Sequence, residues 1–447
     1  MKYTFSLFLI SLSLLSAPAF AQLQIINTIA GTGVTGYSGD GYAATAADLN
    51  GPLGVAVDSA GNVYVEDYYN HRVRKINTSG KISTYAGNGG IGSTGDGTIA
   101  TSAQLNPSGI AVDRHGNLYI SDAAHGVVRK VNTLGIISTI AGTGSYGYTG
   151  DNAAATLATL NTPCGLATDT LGNIYIADAG NNVVRKVNAA GIITTLAGTG
   201  VAGSTGDGNT AISAELDSPY AVAADNYGNV YISDYKNNYI RKVDTSGYIS
   251  AYAGLANTVG YGGDSSTALL STLNGPRGLA VDGNRNLYIA DANNNVIRRV
   301  DTFGIITTAV GNGFGGYGGD LGTVNGANLY SPYGVAVDQY GSIYIADANN
   351  QRVRKTYNAT LGVKTLAAAN GITVYPNPFS GSISIAGLSI SDKVCIYDIN
   401  GRAVTATTTA TVGILSFEMP NISEGIYLLQ VWDNAGNKKA VVRLVKD

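Results

Sequence analysis

The sequence predicts an all-β protein in which a six-bladed β-propeller is followed by a small Ig-like β-sandwich. Two observations predict the propeller. A phrase that reads GVAVDSAGNVY at 54–64 occurs six times, and each copy is followed by short apolar segments that alternate with polar turns. The third observation is a change of pattern after residue 356, which predicts the second domain.

The period of the repeat is nearly constant. The aspartate of the phrase recurs every 55 to 57 residues, at Asp58, Asp113, Asp169, Asp225, Asp282 and Asp338. In the first copy, strands are predicted at 55–57, 63–65, 73–76 and 82–86. These segments are apolar on both faces, as in sheets that neighbouring sheets cover on each side. Four short antiparallel strands per repeat, packed around an axis, form a propeller.

The ends of the repeat region distinguish a closed ring from an open β-solenoid, which is the alternative. A fourth-strand phrase such as 136–142 follows repeats one to five but is absent after repeat six. A single copy stands ahead of repeat one, at 25–31. The N-terminal strand is therefore predicted to complete the last blade, because ring closure removes two exposed sheet edges.

The repeat resembles the NHL repeat family. The family pattern is a Pro, then Gly-apolar-Ala-apolar-Asp, then Gly-Asn-apolar-Tyr-apolar-x-Asp, and then Asn and a basic strand. In this sequence the pattern is found at 276–282, 283–291, Asn294 and Arg298. Repeat two departs from it, with His125 in place of Asn. The resemblance covers residues 24–355 and implies a six-bladed propeller. Most members of the family are binding platforms, and a few related propellers are lyases.

Long links between the repeats indicate where a ligand would bind. Because strands alternate in direction within a blade, these links lie at the same end as the turns between second and third strands, which we call the loop-rich face. The links carry Gly-Asp and extra tyrosines. The predicted binding residues are Tyr37, Asp40, Asp96, Tyr148, Asp151, Asp207, Tyr261, Asp264, Tyr317 and Asp320. We expect these aspartates to be free, since their loops contain no arginine.

A second set of aspartates opens the turn between strands two and three, and an arginine follows each of them seven residues later. The pairs are Asp67 and Arg74, Asp122 and Arg129, Asp178 and Arg185, Asp234 and Arg241, Asp291 and Arg298, and Asp347 and Arg354. Six such pairs in six repeats predict a structural charge-assisted bond within or between blades. A role in ligand binding is the alternative.

Residues for metal binding or catalysis do not form a recognisable pattern. His71, His115 and His125 lack the spacing of a zinc site, and no nucleophile–base motif is present. No catalytic residue, metal site or cofactor is predicted. Ca²⁺ at the Gly-Asp loops stays an open alternative, although each loop offers one carboxylate and Ca²⁺ takes 6–8 oxygens. Cys164 and Cys395 lie in different predicted domains and are interpreted as core residues. The net charge of −3 provides no field for nucleic acid.

The first residues have the features of a signal peptide. A charged start and an apolar stretch precede Ala19-Phe20-Ala21, and the stretch is shorter than the roughly 20 residues of a membrane span. The predicted organisation is a signal peptide at 1–21, a propeller at 22–356, a linker at 357–371 and a C-terminal domain at 372–447. No transmembrane helix is predicted in the mature chain.

The C-terminal domain carries its own motifs. The segments 374–379 (VYPNPF), 394–401 (VCIYDING) and 425–431 (GIYLLQV) predict a small β-sandwich. In this order they resemble the C-terminal sorting domain of the type IX secretion pathway in Bacteroidota. The resemblance implies export to the medium or the outer-membrane surface, with the type IX machinery as a partner. A carbohydrate-binding or fibronectin-like module is the alternative, and removal or retention of the domain stays open.

Together these features predict a secreted or cell-surface propeller that binds a protein or glycan through its loop-rich face. An extracellular lyase or hydrolase on the same scaffold is the alternative, and a passive surface-layer component is a third hypothesis. A cluster of His, Asp and Glu at the mouth of the central channel would favour an enzyme. Grouped tyrosines without such a cluster would favour binding.

Overall fold

The computed structural model describes residues 24–358 and 372–446, apart from 376, 378, 380, 399–401, 406, 411–412, 420–421, 423–424 and 437. The chain divides into two compact units, of which one is Gln24–Asn358 and the other contains the described C-terminal residues. The predicted signal peptide at 1–21 and residues 359–371 of the predicted linker lie outside the described part and stay predictions. In the described part, no helix has the length and apolar character needed to cross a membrane.

The first unit consists of six antiparallel sheets, the blades, and the main strands of each blade follow one another from the axis outward. Blade 1 comprises Pro52–Val57, Val63–Asp67, Arg72–Ile76 and Ile82–Ala86. Blade 2 comprises Pro107–Val112, Leu118–Asp122, Val127–Val131 and Ile137–Ala141. Blade 3 comprises Pro163–Thr168, Ile174–Asp178, Val183–Val187 and Ile192–Ala197.

The other three blades have the same order of strands. Blade 4 comprises Pro219–Ala224, Val230–Asp234, Tyr239–Val243 and Ile249–Ala253. Blade 5 comprises Pro276–Val281, Leu287–Asp291, Val296–Val300 and Ile305–Val310. Blade 6 comprises Pro332–Val337, Ile343–Asp347, Arg352–Asn358 and Gln24–Ala30. The two-residue strands Ala153–Ala154 and Ser266–Thr267 extend blades 3 and 5.

The ring closes through the N-terminal strand. Gln24–Ala30 pairs antiparallel with Arg352–Asn358, and Ile26 lies opposite Thr356. The innermost strands contact one another in cyclic order, and that of blade 6 contacts that of blade 1. The prediction of a six-bladed propeller closed by its N-terminal strand is confirmed. The last strand extends through Asn358, two residues beyond the predicted end of the propeller at residue 356.

The repeated phrase encodes one turn. Asp58 Oδ1 accepts hydrogen bonds from the backbone N–H groups of Ala60 and Asn62, at 3.0 and 2.8 Å. Its Oδ2 accepts from the side-chain amide of Asn62 and the hydroxyl of Tyr64. The backbone and tyrosine contacts recur at Asp113, Asp169, Asp225, Asp282 and Asp338. The aspartate therefore accepts the hydrogen bonds that the turn, the asparagine and the tyrosine donate, at the end opposite the loop-rich face.

Single-turn 3-10 helices occupy the loop-rich ends of the blades. Those between strands two and three are Tyr68–Asn70, Ala123–His125, Ala179–Asn181, Tyr235–Asn237, Ala292–Asn294 and Ala348–Asn350. Those in the links are Ala44–Ala46, Ala100–Ser102, Ala155–Leu157, Ala211–Ser213, Ala268–Leu270 and Val324–Gly326. A fully buried leucine follows each link helix, at Leu49, Leu105, Leu160, Leu216, Leu273 and Leu329. These leucines fill the junctions between blades.

The C-terminal unit is a small β-sandwich. One sheet contains Thr373–Tyr375, Ser382–Ala386 and Ile414–Glu418. The other contains Thr408–Thr409, Lys393–Asp398, Gly425–Trp432 and Lys438–Lys446. Ile383 and Ile385 of the first sheet share a core with Val394, Ile396 and Leu429 of the second. The alternation of buried and exposed residues along these strands explains why the sequence predicts them.

Candidate functional site

The second residue of each innermost strand faces the axis near the loop-rich end. Proline precedes it in all six blades, and glycine or, in blade 4, alanine follows it. The residues at this position, which together we call the channel mouth, are Leu53, Ser108, Cys164, Tyr220, Arg277 and Tyr333. The flanking positions repeat while this one does not. The fold of the repeat therefore requires particular residues on either side of this position but not at the position itself.

A cavity of about 80 Å³ lies in the channel at this level, lined by inner-strand residues of all six blades. The glycines that follow the mouth residues allow the strands to approach one another. A Cβ on Gly165 would lie 2.7 Å from the Cα of Ala221 in the next blade. The cavity is large enough for a few water molecules or a small chemical group. Val55 and its equivalents provide the apolar part of its lining.

Arg277 of the channel mouth is surrounded by tyrosine rings. Its guanidinium carbon lies 3.9 Å from the ring centroid of Tyr333, 4.6 Å from that of Tyr220 and 4.7 Å from that of Tyr235. Its Nη2 donates to the Tyr235 hydroxyl at 3.2 Å, and its buried Nε has no hydrogen-bond partner. No ion pair with Arg277 occurs among the described residues. A half-buried cation is thus held in place by aromatic faces.

Glu66 adds a buried carboxyl to the cavity wall. Its side chain is 1% exposed, and its Oε1 has no hydrogen-bond partner. Burial raises the pKa of Glu66 to about 8, so the carboxyl is protonated at neutral pH. The equivalent residues of the other blades are Ser121, Ala177, Ser233, Ala290 and Ala346. Blade 1 alone therefore places an acid at this level.

Two further mouth residues have small, partly satisfied side chains. The Ser108 hydroxyl donates to the backbone carbonyl of Pro163 at 2.9 Å. Cys164 is buried and free, and burial raises the pKa of its thiol to about 12. The thiol is therefore not a nucleophile at neutral pH, because the thiolate is the reactive form.

The predicted Asp–Arg pairs lie away from the channel mouth, within the blades. In five blades the arginine contacts the aspartate seven residues before it, with N–O distances of 3.2 Å for Arg74 and Asp67, 3.6 Å for Arg185 and Asp178, 3.8 Å for Arg241 and Asp234, 3.6 Å for Arg298 and Asp291, and 3.3 Å for Arg354 and Asp347. All ten side chains are fully buried. In blade 2, Asp122 instead contacts His125 Nδ1 at 2.7 Å.

The Gly-Asp aspartates contact the same arginines. The N–O distances are 2.7 Å for Arg74 and Asp40, 2.5 Å for Arg129 and Asp96, 2.7 Å for Arg185 and Asp151, 2.7 Å for Arg241 and Asp207, 2.8 Å for Arg298 and Asp264, and 2.6 Å for Arg354 and Asp320. The expectation that these aspartates are free is wrong. Their partner lies 33 or 34 residues further along the chain, in the blade that the link covers.

The link tyrosines also contact arginines. The centroid of Tyr37 lies 3.9 Å from Arg72, that of Tyr148 5.1 Å from Arg185, that of Tyr261 5.3 Å from Arg298, and that of Tyr317 3.7 Å from Arg352. Their hydroxyls meet a threonine of the fourth strand, as in the 2.9 Å contact between Tyr37 and Thr84. The ten predicted binding residues therefore surround the buried arginines of the blades. Arg277 and Glu66 were not among the predicted site residues, because that prediction used only positions at which the same residue type recurs from repeat to repeat.

Histidines and carboxylates do not converge on a metal site within the part of the chain that the structure describes, where no group of three or more His, Cys, Asp or Glu residues is suitably placed. His71 contacts Asn106 through Nδ1, and the ring of His115 accepts from Arg114. The channel cavity has no histidine among its lining residues.

Comparison with known families agrees with this architecture. The NHL repeat model matches residues 49–76 and 329–355, and the teneurin NHL domain model matches 91–149, 144–205 and 255–314. The model of the secretion system C-terminal sorting domain matches residues 373–446. The chain carries NHL repeats and a C-terminal sorting domain. The NHL repeats form the ring of the propeller, and the sorting domain is the C-terminal β-sandwich.

Parts of several known proteins are similar to this chain in sequence or in fold. Teneurin-4 of Mus musculus is 32% identical over 54% of this chain, and the match spans 10% of that protein. A Bacteroides thetaiotaomicron protein of unknown function has a TM-score of 0.56 at 18% identity, covering 74% of this chain and 75% of its own. An auxiliary nutrient binding protein of the same organism has a TM-score of 0.54 at 16% identity, covering 75% and 76%. These two structures share the fold.

The sorting domain determines where the NHL propeller acts. It directs the protein through type IX secretion to the cell surface or the extracellular space, and it implies contact with the type IX secretion machinery.

Proposed function

We propose that this protein is an extracellular binding protein whose NHL propeller holds its ligand at the channel mouth. The observation that carries the proposal is that Arg277 packs against Tyr220 and Tyr333, two rings that line one cavity together with the unpartnered, buried carboxyl of Glu66. Unsatisfied buried polar groups cost free energy, and a ligand that bonds to them recovers it. Grouped tyrosines provide contact area at small entropic cost.

The proposed site is still at the loop-rich face, but it lies at the propeller axis and not in the links between blades. The ten residues predicted from the links are engaged with the buried arginines, whereas the mouth residues lie at the axis. A protein or glycan remains the proposed kind of partner. The auxiliary nutrient binding protein of Bacteroides thetaiotaomicron supports a binding role only as a protein of the same fold.

Lyase or hydrolase activity gains no support from the mouth. An acid–base mechanism needs paired groups with pKa values set apart, and a nucleophile needs an activating base. The cavity lining holds Glu66 but no histidine, and the neighbouring thiol of Cys164 is protonated at neutral pH. The grouping of Tyr220, Tyr235 and Tyr333 therefore favours binding.

A screen of the full-length secreted protein against glycan and protein arrays tests the proposal. We expect each ligand that it identifies to bind at least about tenfold more weakly to Tyr333→Ala, because the variant removes a mouth ring. Tyr227→Ala is the matched control, since Tyr227 is exposed in the turn between the first two strands of blade 4, at the opposite end. Equal affinity of the wild type and Tyr333→Ala, with loss in the link variant Tyr148→Ala, would place binding on the links and overturn the proposal.

A further inference from the structure

Arg277 provides the charge that the channel mouth presents to a ligand. Its guanidinium contacts three tyrosine rings, one tyrosine hydroxyl and no carboxylate of the described residues. The buried arginines of the blades, by contrast, each have at least one aspartate partner. Arg277 is thus a cation whose counter-ion the described protein does not supply.

The tyrosines hold this guanidinium in a defined position. Tyr220 and Tyr333 belong to the blades on either side of Arg277, and their ring centroids are 6.5 Å apart at an interplanar angle of 82°. Tyr235 lies 5.8 Å from Tyr220 and accepts the Nη2 hydrogen bond. An arginine that is already ordered loses little further entropy on binding, and its planar fork matches the two oxygens of a carboxylate.

The cavity wall beside Arg277 and its tyrosines suits a ligand with hydroxyl groups. Glu66 has an unpartnered oxygen there, Ser108 adds a hydroxyl, and Tyr220 and Tyr333 are lining residues. Tyrosine rings pack against the C–H faces of sugars, while carboxyl and hydroxyl groups bond to their hydroxyls. The volume of about 80 Å³ limits the inserted group to a small one, such as the end of a larger ligand.

We infer, on the basis of the proposed function, that the channel mouth recognises a carboxylate-bearing ligand group, whose carboxylate binds Arg277. Two sources share this chemistry, an acidic sugar and an amino or other small organic acid. The hydroxyl-binding groups of the wall favour the acidic sugar.

Titration of the full-length secreted protein, followed by calorimetry and tyrosine fluorescence, tests the inference with matched probes. Galacturonate is compared with galactose, and glutamate with glutamine. We expect the carboxylate member of at least one pair to bind about tenfold or more tightly than its neutral partner. A preference within the sugar pair identifies an acidic sugar as the source, and a preference within the other pair identifies an amino acid.

Variants assign the preference to Arg277. Arg277→Gln should abolish it, and Arg277→Lys should restore only part of it, because lysine keeps the charge without the fork. Arg114→Gln removes the same charge from a turn at the opposite end and should leave the preference unchanged. Equal binding of charged and neutral probes at the mouth overturns this inference but not the proposed function. Binding of any ligand that is insensitive to Arg277, Tyr220 and Tyr333 substitutions overturns both.

Discussion

At the scale of the residue, the buried arginines join a strand of each blade to the turn and the link beside it. Arg74 contacts Asp67 and Asp40 and also donates to the backbone carbonyl of Ser38. It therefore joins the third strand to the turn beside it and to the link from the preceding blade. Asp67 also accepts the backbone N–H of Asn50 at 2.7 Å. A charge buried in this way is favourable only while its partners remain.

Replacing the two partners of Arg74 separately should have unequal effects. Asp67→Asn is expected to lower the free energy of unfolding by about 3 kcal/mol, because it leaves a buried cation with less compensation. Asp40→Asn should cost about 1 kcal/mol, since Asp40 is partly exposed and Asp67 remains. Urea denaturation measures both. Equal losses would show that the exposed Asp40 compensates Arg74 as much as the buried Asp67 does, and a larger loss in Asp40→Asn would make Asp40 the principal partner. Neither change should alter ligand affinity.

Glu66 gives a second residue-scale prediction, through pH. Its pKa rises from 4.5 to about 8 on folding, so the folded state binds more protons than the unfolded state between these values. Its contribution to stability is full below pH 4.5 and is lost as the pH rises through 8, by roughly a few kcal/mol. The groups that interact electrostatically with Glu66 are the hydroxyls of Tyr68 and Tyr220 and the Cys164 thiol, all of which burial keeps neutral at this pH.

The test compares melting temperatures of Glu66→Gln and the wild type across this range. The two should melt together at pH 4.5, and the variant should melt higher at pH 9. Glu215→Gln, in a link, controls for the loss of a carboxylate elsewhere. Parallel curves for Glu66→Gln and the wild type would contradict the prediction, because they would show that folding does not raise the pKa of Glu66.

At the scale of the element, the N-terminal strand belongs to the last blade. Ile26 of this strand is fully buried with Val335, Ile343 and Ile345 of blade 6. Without Gln24–Ala30, the strand Arg352–Asn358 becomes an edge, and the apolar surface beside it is exposed. Unpaired edges of this kind promote association between chains.

Deleting residues 22–30 should therefore lower the melting temperature, on the order of 10 °C or more, and should promote aggregation. A synthetic peptide with the sequence of residues 24–31 should restore much of the loss by occupying the vacant strand position. Calorimetry and light scattering measure the two effects. A deletion variant that melts like the wild type would contradict ring closure by this strand.

The elements were predictable where the chemistry repeats. Three features follow from local patterns that occur six times in the sequence: the turn from Asp58 to Tyr64, the buried Leu49, and the fourth-strand phrase at 25–31.

The partner of Asp40 was not predictable, because Arg74 lies in another element and the contact depends on how the link folds over the blade. Arg277 and Glu66 were missed because they occur once. Alignment of the six copies reveals the non-repeating position after each strand-one proline, and this is the signal that could have found the channel mouth.

At the scale of the whole molecule, folding and export rest on different parts of the chain. All strands of the six blades lie within Gln24–Asn358, and the sorting domain has its own core. Among the residues that the structure describes, no sheet contains strands of both units. The propeller therefore has the contacts it needs without the segment that exports it.

Removal of residues 372–447 should leave a folded propeller in the periplasm. The physical reason is that the variant keeps every propeller strand but lacks the sorting domain. Cell fractionation with immunoblotting locates the protein, and protease resistance reports whether it is folded. The full-length protein is the control. Truncated protein in the medium at the normal level would contradict the sorting role.

The pairing that closes the ring joins the first and the last propeller strand to be synthesised. Thr32, just after the first strand, bonds to Arg352 of the last repeat across 320 residues of chain. A ribosome that adds 5–20 residues per second needs roughly 15 to 60 s to make that stretch. For this interval the first strand exists without its partner, while five blades can already be complete. The first propeller strand is thus the last to find its place, and the propeller is most vulnerable to mispairing until the strand Arg352–Asn358 has been made.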